Sequence, residues 1–326
     1  MVRDNSFDFY KAILIIGVVW GHIINHMVIG ETVSISIHTF FRTYDMPFFM
    51  AISGFFFRGS CEKYSFKVNF LNKLTMILIP SVLWSLLLSH FQSIDRYYFL
   101  TAVFFSSIIV GLIHTLIKIE KNQIVFIWLV SLLFYFIDLP LANMAYLYPF
   151  FAMGYTCPTI WDATKKTLII SGIIGTFVIL LCFWKKDYNI WNSGSYILGG
   201  GKIIIIVVYR MLIAFVGILS MKFLLDIFFE YFSRFKINDF LLEMGRESFS
   251  IYILHCFFLS PIAKITTGLK NSFGFNIFTF NQNLLGYVIA PLLSIVIIYI
   301  VLCIVRLMKK NNYTKALLGF KISMNS

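Results

Sequence analysis

Charge is scarce in this chain. Asp, Glu, Lys and Arg make up 13% of its 326 residues, where a soluble domain carries about 25%, and 59% are hydrophobic with a mean hydropathy of +0.84. That excludes an ordinary water-soluble globule. Acidic residues are the rarer sign, 15 against 27 basic, yet the excess positive charge is spread thinly between apolar runs. The basic patch interleaved with aromatics that nucleic acid requires is missing. Cysteine is also sparse: Cys61, Cys157, Cys182, Cys256 and Cys303 are odd in number and far apart, which implies neither a disulfide framework nor a zinc knuckle. No His-Glu-x-x-His or Gly-x-Ser-x-Gly occurs, and no metal site is expected. The run Gly199-Gly200-Gly201-Lys202 is no phosphate loop, since Tyr196 stands at its first glycine position and Ile203 where Ser or Thr would meet magnesium. Without a Pro/Gly linker, an internal repeat or a low-complexity tract, one integral domain over residues 1–310 is expected, followed by a short cytoplasmic tail at 311–326.

What fills the chain is long apolar runs. At roughly 20 residues per membrane helix, the hydropathy pattern predicts an all-α, polytopic transmembrane bundle of about ten spans. They are Phe7–Ile29, Ile37–Phe57, Leu74–Phe91, Tyr97–Ile117, Ile124–Ile137, Met144–Cys157, Thr167–Trp184, Ile203–Phe229, Phe249–Ala263 and Gly286–Leu307. The N-terminus has the basic flank of a secretory signal but lacks a small-residue cleavage site, so it is read as a retained first helix. Basic residues near helix ends stay in the cytoplasm. With the N-terminus inside, 18 Lys and Arg fall on the inner side and six on the outer. Both termini are therefore predicted to be cytoplasmic, and the chain to be a multi-pass membrane protein.

Ionisable groups inside a bilayer are costly, about 2.5–3.5 kcal/mol on insertion scales, and mark functional sites by default. Lys11 and His22 are eleven residues apart, three helical turns or ~16 Å, and share one face; Asp8 and His26 extend the stripe. Asp8 and Lys11 also have a purely interfacial reading as an ion pair. On the second span, His38, Arg42, Asp45 and Ser53 share helical spacing about Pro47, and Arg42 with Asp45 can neutralise each other. Ser248, Tyr252 and His255 form a polar edge on the ninth. Arg210, alone in the eighth, needs a carboxylate or an anionic ligand. Outer aromatics such as Trp191 and Tyr196 suit headgroup anchoring or sugar stacking.

The residues Arg3, Asp8, Lys11 and His22, with ten positions between the last two, followed by Asp45-Met46-Pro47-Phe48-Phe49-Met50-Ala51-Ile52-Ser53-Gly54-Phe55, resemble the opening of the membrane-bound acyltransferase family 3. Tyr148-Pro149-Phe150-Phe151-Ala152-Met153-Gly154-Tyr155 and Gly245-Arg246-Glu247-Ser248-Phe249-Ser250-Ile251-Tyr252-Ile253-Leu254-His255 are similar to its middle and late signatures. Two positions depart: Asp45 stands where many members have histidine, and Met76 where a second basic residue follows the place of Lys73.

The resemblance implies a multi-pass O-acyltransferase of sugars and surface polysaccharides in a bacterial inner membrane. It has no bound cofactor and takes acetyl-CoA as donor, with a sugar or glycan hydroxyl as acceptor. Histidine suits proton removal from such a hydroxyl. The expected catalytic set is His22 as general base, Lys11 charging or orienting the site and Asp8 tuning it. Arg42, Asp45, Lys73, Arg210, Tyr252 and His255 are the expected substrate and donor contacts, with Lys73 and Arg58 suited to donor phosphates. A variant acylates His22 itself as a relay. The rival classes are a transporter or flippase for a glycolipid or small anion, whose pathway polar stripes also suit, and a sensor without catalysis.

Overall fold

The computed structural model describes residues 4–27, 36–89, 97–136, 143–161, 167–185, 201–273 and 284–320. Among them the regular structure is entirely helical. In chain order the helices are α1 (Asn5–Met27), α2 (Ser36–Lys63), α3 (Phe66–Lys73), α4 (Ile79–Ser89), α5 (Tyr98–Leu116), α6 (Glu120–Leu133) and α7 (Met144–Thr156). They continue with α8 (Thr167–Cys182), α9 (Gly201–Phe232), α10 (Ile237–Arg246), α11 (Ser248–Phe273), α12 (Ala290–Met308) and α13 (Asn312–Leu317). The chain gathers into two compact units. The first joins Met1–Asp45 to Leu224–Ser326, and the second is Met46–Phe223.

Five described helical segments are long and apolar enough to cross a bilayer: Asn5–Asn25, Phe66–Leu87, Tyr98–Leu116, Ile205–Phe232 and Gly286–Met308. Ile169–Cys182 and Ser248–Leu259 are shorter apolar helices. Five of the ten predicted spans therefore have no such segment among the described residues: the fifth (Glu120–Leu133), sixth (Met144–Thr156), seventh and ninth are too short, and the second, despite its 28-residue helix, carries Arg42, Asp45, Arg58, Glu62 and Lys63, which dilute its hydropathy. Large apolar side chains stay exposed on several helices, among them Leu116, Ile205, Leu132 and Leu292. Acyl chains, not water, are the fitting neighbours for such a surface.

In the first unit α1 is the central element, packed against α10, α11 and α12. Ala12, Ile15, Val19 and Ile23 recur at helical spacing and are fully buried. Asp8 sits in the first turn of α1, where the helix dipole favours a carboxylate. Gly245 of α10 allows backbone-to-backbone approach: a Cβ there would lie 1.7 Å from the Asp8 carbonyl oxygen. Just before α12 the helix widens into a π turn over Leu285–Ile289, and Pro291 explains it, since a proline ring clashes with the carbonyl four residues back. In the wider register the Gly286 carbonyl would look to residue 291 for a donor, but proline has no N–H. Trp20 Nε1 of α1 donates to it instead at 2.7 Å.

The same device occurs in the second unit, where a π turn over Leu74–Leu78 links α3 to α4 just ahead of Pro80. Here α5 and α7 pack together, with α6 against α7 and α3 against α5. Helices α2 and α7 cross on small residues. A Cβ on Gly154 would fall 1.9 Å from the Ala51 oxygen, and one on Gly54 2.1 Å from the Phe151 oxygen. This is the close packing that small residues allow where burial of apolar surface drives nothing.

The segment expected as a cytoplasmic tail is folded as far as residue 320. Asn311 caps α13 by accepting from the Tyr313 N–H at 2.8 Å, Leu318 is buried, and the Lys309 ammonium lies 4.2 Å from the Phe320 ring centroid.

Candidate active site

The first unit brings three of the expected site residues together. His22, half-buried on α1, and His255, 1% exposed on α11, have ring centroids 5.2 Å apart at 45°. Tyr252, one turn before His255, is buried with its ring centroid 5.8 Å from the imidazole. His255 Nδ1 lies 3.0 Å from the Ile251 carbonyl oxygen. A carbonyl can only accept, so Nδ1 carries the proton and, in the neutral ring, Nε2 holds the lone pair. The Cys256 thiol, a weak donor, is 3.6 Å from that Nε2.

Lower on the same helix Lys11 pairs with Asp8 at 2.7 Å, the carboxylate being almost wholly buried. The interfacial ion pair therefore forms. It leaves Lys11 largely neutralised, three turns from the imidazole. Arg42 is half-buried and Asp45 buried, both in the N-terminal half of α2. Arg3, Trp191 and Tyr196 lie outside the described residues, as do the side chains of His26 and His38.

In the same unit the helix ends are clamped by charge. Arg306 of α12 forks onto Glu243 of α10 through Nε at 2.7 Å and an Nη at 2.6 Å, and Lys309 pairs with Glu247. The hydrogen bonds from Arg306 hold the Glu243 carboxyl below its ordinary range. A depressed folded-state value stabilises the protein above the usual carboxylate range, and that contribution is lost as pH falls through the depressed value. Because Arg306 is half-exposed, solvent screening limits it to roughly 0.5–1 kcal/mol. Glu243→Gln should therefore lower the unfolding temperature of detergent-solubilised protein at neutral pH and converge with wild type once the pH falls below the depressed carboxyl value. A gap that does not shrink as the pH is lowered would count against the pair.

The second unit holds Lys73 and Arg210. The Lys73 ammonium lies 5.3 Å from the Phe57 ring centroid, and the buried Arg210 guanidinium stacks 4.4 Å over Tyr146. This unit also contains a cavity of about 220 Å³ lined by Arg58, Glu62, His114, Glu120, Gln123 and Tyr155, with two neighbours. In it Arg58 binds Glu120 at 2.8 Å and Glu62 at 3.4 Å, while Tyr155 Oη and His114 Nδ1 are 2.7 Å apart. Burial opposes the Arg58 charge, but the two glutamates outweigh it and raise its pKa. Arg58 was expected to meet donor phosphates, and two carboxylates already hold it. Burial also pushes the nearby Cys61 thiol up to about 12, so it is no ready thiolate. Sequence reasoning missed the His114–Tyr155 pair. Its only linear signal was Tyr155 within the Tyr148–Tyr155 motif.

A helical chain with lipid-suited surfaces and two imidazoles 5.2 Å apart defines a membrane-embedded protein with acid–base capacity. The family model described as an acyltransferase domain matches residues 4–303, and the chain belongs to that acyltransferase family as an integral membrane protein. It is similar to nodulation protein NolL of Mesorhizobium japonicum, 26% identical over 222 residues, which are 57% of this chain and 58% of that protein. It is also similar to nodulation protein NolL of Sinorhizobium fredii, 27% identical over 224 residues, 59% of this chain and 60% of that one. The match thus spans less than two thirds of either relative. No solved structure matches the chain significantly.

Proposed function

We propose that this protein moves an acyl group, acetyl foremost, from acyl-CoA to a hydroxyl of a cell-surface or cell-wall sugar, with His22 as general base. The observation that carries the reading is the His22–His255 pair in the first unit, set in a chain whose family match runs over residues 4–303. An imidazole has the basicity to take an alcohol proton near neutral pH. The hydroxyl oxygen bonds to the thioester carbonyl carbon, the C–S bond breaks, and the hydroxyl proton passes through His22 to the departing sulfur. In this reading both termini face the cytoplasm of a bacterial inner membrane, as the lysine and arginine distribution favours.

Lys73 is the cation proposed for the donor's phosphates, Arg58 being held by Glu120; Arg42, Asp45, Arg210 and Tyr252 are the remaining proposed substrate and donor contacts. Lys11 and Asp8 act as a neutralised pair that fixes the lower part of α1. The test is mass spectrometry of a sugar panel incubated with purified protein and acetyl-CoA. An O-acetylated sugar made only with both substrates is expected. Transfer from no acyl-CoA to any sugar, with glycolipid moved across proteoliposomes instead, would favour a transporter.

A further inference from the structure

We propose that the corner of the first unit where α9 turns into α10, together with the corner between α12 and α13, is a binding surface for the headgroups of anionic phospholipids. Two of the segments long enough to cross a bilayer end here, one at Phe232 and one at Met308. Arg234 and Lys236 follow the first end and Lys310 the second. All three are exposed and form no ion pair among the described residues. Arg246, in the last turn of α10, is a fourth such cation. Glu243 and Glu247 are already taken by Arg306 and Lys309, which leaves Glu230 and Asp239 as the exposed carboxylates of the last turns of α9 and of α10. Asp4, just before α1, and Lys315, on α13, add one charge of each sign. The excess stays positive.

Charge alone would suit any polyanion, but the side chains set among these cations select a lipid. Tyr231 is 60% exposed, Phe235 49% and Tyr313 82%. Rings of this kind lie at the level of the headgroups, with the apolar body toward the acyl chains, and basic residues just beyond a membrane helix meet the phosphates of anionic lipids. The platform is held in place. Tyr231 and Phe235 have ring centroids 5.3 Å apart, and Phe232 lies 6.3 Å from Phe9 of α1. The two corners border one short helix, since Arg306 of α12 grips Glu243, which is about 9 Å of helical rise along α10 from Ile237. A net negative headgroup offers phosphate to the cations without the ammonium that a zwitterionic lipid sets beside its own. Headgroups held there tie the end of α9 to the end of α12, on either side of the helix that abuts α1 at Gly245.

The test uses the full-length protein in mild detergent, its unfolding temperature followed as phosphatidylglycerol or phosphatidylcholine of equal chain length is added. Phosphatidylglycerol should reach half its effect at a concentration about tenfold or more below that of phosphatidylcholine. Salt at about 0.5 M should remove most of that advantage, because added ions screen exposed charge. The triple variant Arg234→Gln/Lys236→Gln/Lys310→Gln should lose it even in low salt, at roughly fivefold per basic residue. Without lipid it should unfold as wild type does, since none of the three is paired. Removing three exposed lysines of the second unit, in Lys67→Gln/Lys118→Gln/Lys121→Gln, changes the net charge equally and should leave most of the preference. Equal effects of the two lipids on wild type would overturn the proposal. So would a loss in the second triple variant as large as in the first, which would make the preference one of overall charge. Inorganic phosphate that reproduces the stabilisation would overturn a lipid as the occupant. If the first triple variant is unstable without lipid, native mass spectrometry of wild type decides: phosphatidylglycerol retained over phosphatidylcholine from an equimolar mixture supports the surface, and equal retention overturns it.

Discussion

His22→Ala is expected to slow acyl transfer about 10²- to 10⁴-fold, the range that a positioned general base contributes, while the protein stays folded and inserted. The separation of the two effects follows from position. His22 is half-buried, whereas α1 is held by the fully buried Ala12, Ile15, Val19 and Ile23 and by the bond from Trp20 to the Gly286 carbonyl. None of these depends on the imidazole. Initial rates of thiol release from acyl-CoA, compared at matched protein with size-exclusion profiles, give the answer. A rate near wild type in a well-folded His22→Ala would refute the role of this ring.

The largest structural effect is expected at the crossing of α2 and α7. A methyl group on Gly154 would be placed 1.9 Å from the Ala51 oxygen and one on Gly54 2.1 Å from the Phe151 oxygen. These are backbone atoms that cannot rotate aside, so the helices must separate. Separation in turn loosens the packing around them, including the Phe57–Phe151 ring contact at 5.8 Å. Overpacking typically costs 1–3 kcal/mol where side chains can yield; here about 3 kcal/mol or more is expected for either Gly→Ala change. Gly59 on the same helix is the control, since its Cβ would meet nothing within 4 Å and alanine raises helix propensity. Thermal unfolding in detergent should rank Gly59→Ala at or above wild type and Gly154→Ala well below it. A Gly154→Ala protein as stable as wild type would contradict the crossing.

Helices whose apolar run carries few charges were legible in the sequence almost to their ends. The predicted span Tyr97–Ile117 is the helix Tyr98–Leu116, and Ile203–Phe229 lies within Gly201–Phe232. The third span begins earlier than its hydropathy indicates, at Phe66, because Lys67, Asn69, Asn72 and Lys73 mask the first two turns. The π turns were hidden too, although each follows from a proline whose place in the sequence was plain. Helix α10 went unseen because its pattern is amphipathic and short: Ile237, Phe240, Leu241 and Met244 alternate with Asp239, Glu243 and Arg246.

For the site, chemistry was legible and meeting was not. His22, Tyr252 and His255 were marked by the cost of burying polar groups in apolar runs, but their convergence depends on α1 lying against α11, which no spacing within either helix encodes. Gly54, Gly154 and Gly245 all fall in the family-like motifs. What they do there, admitting a neighbouring backbone, appears only when the opposing carbonyl is in place.

In the proposed reaction an imidazole of this membrane-embedded chain assists acyl passage from a thioester to an alcohol. The most direct measurement of that reaction is the rate of free thiol appearance from acetyl-CoA in lipid nanodiscs holding the purified protein, followed as sugar acceptor is added. Thiol release that rises and saturates with acceptor, and disappears in His22→Ala, is the expected result. Release that ignores acceptor, or that persists undiminished without His22, would contradict it.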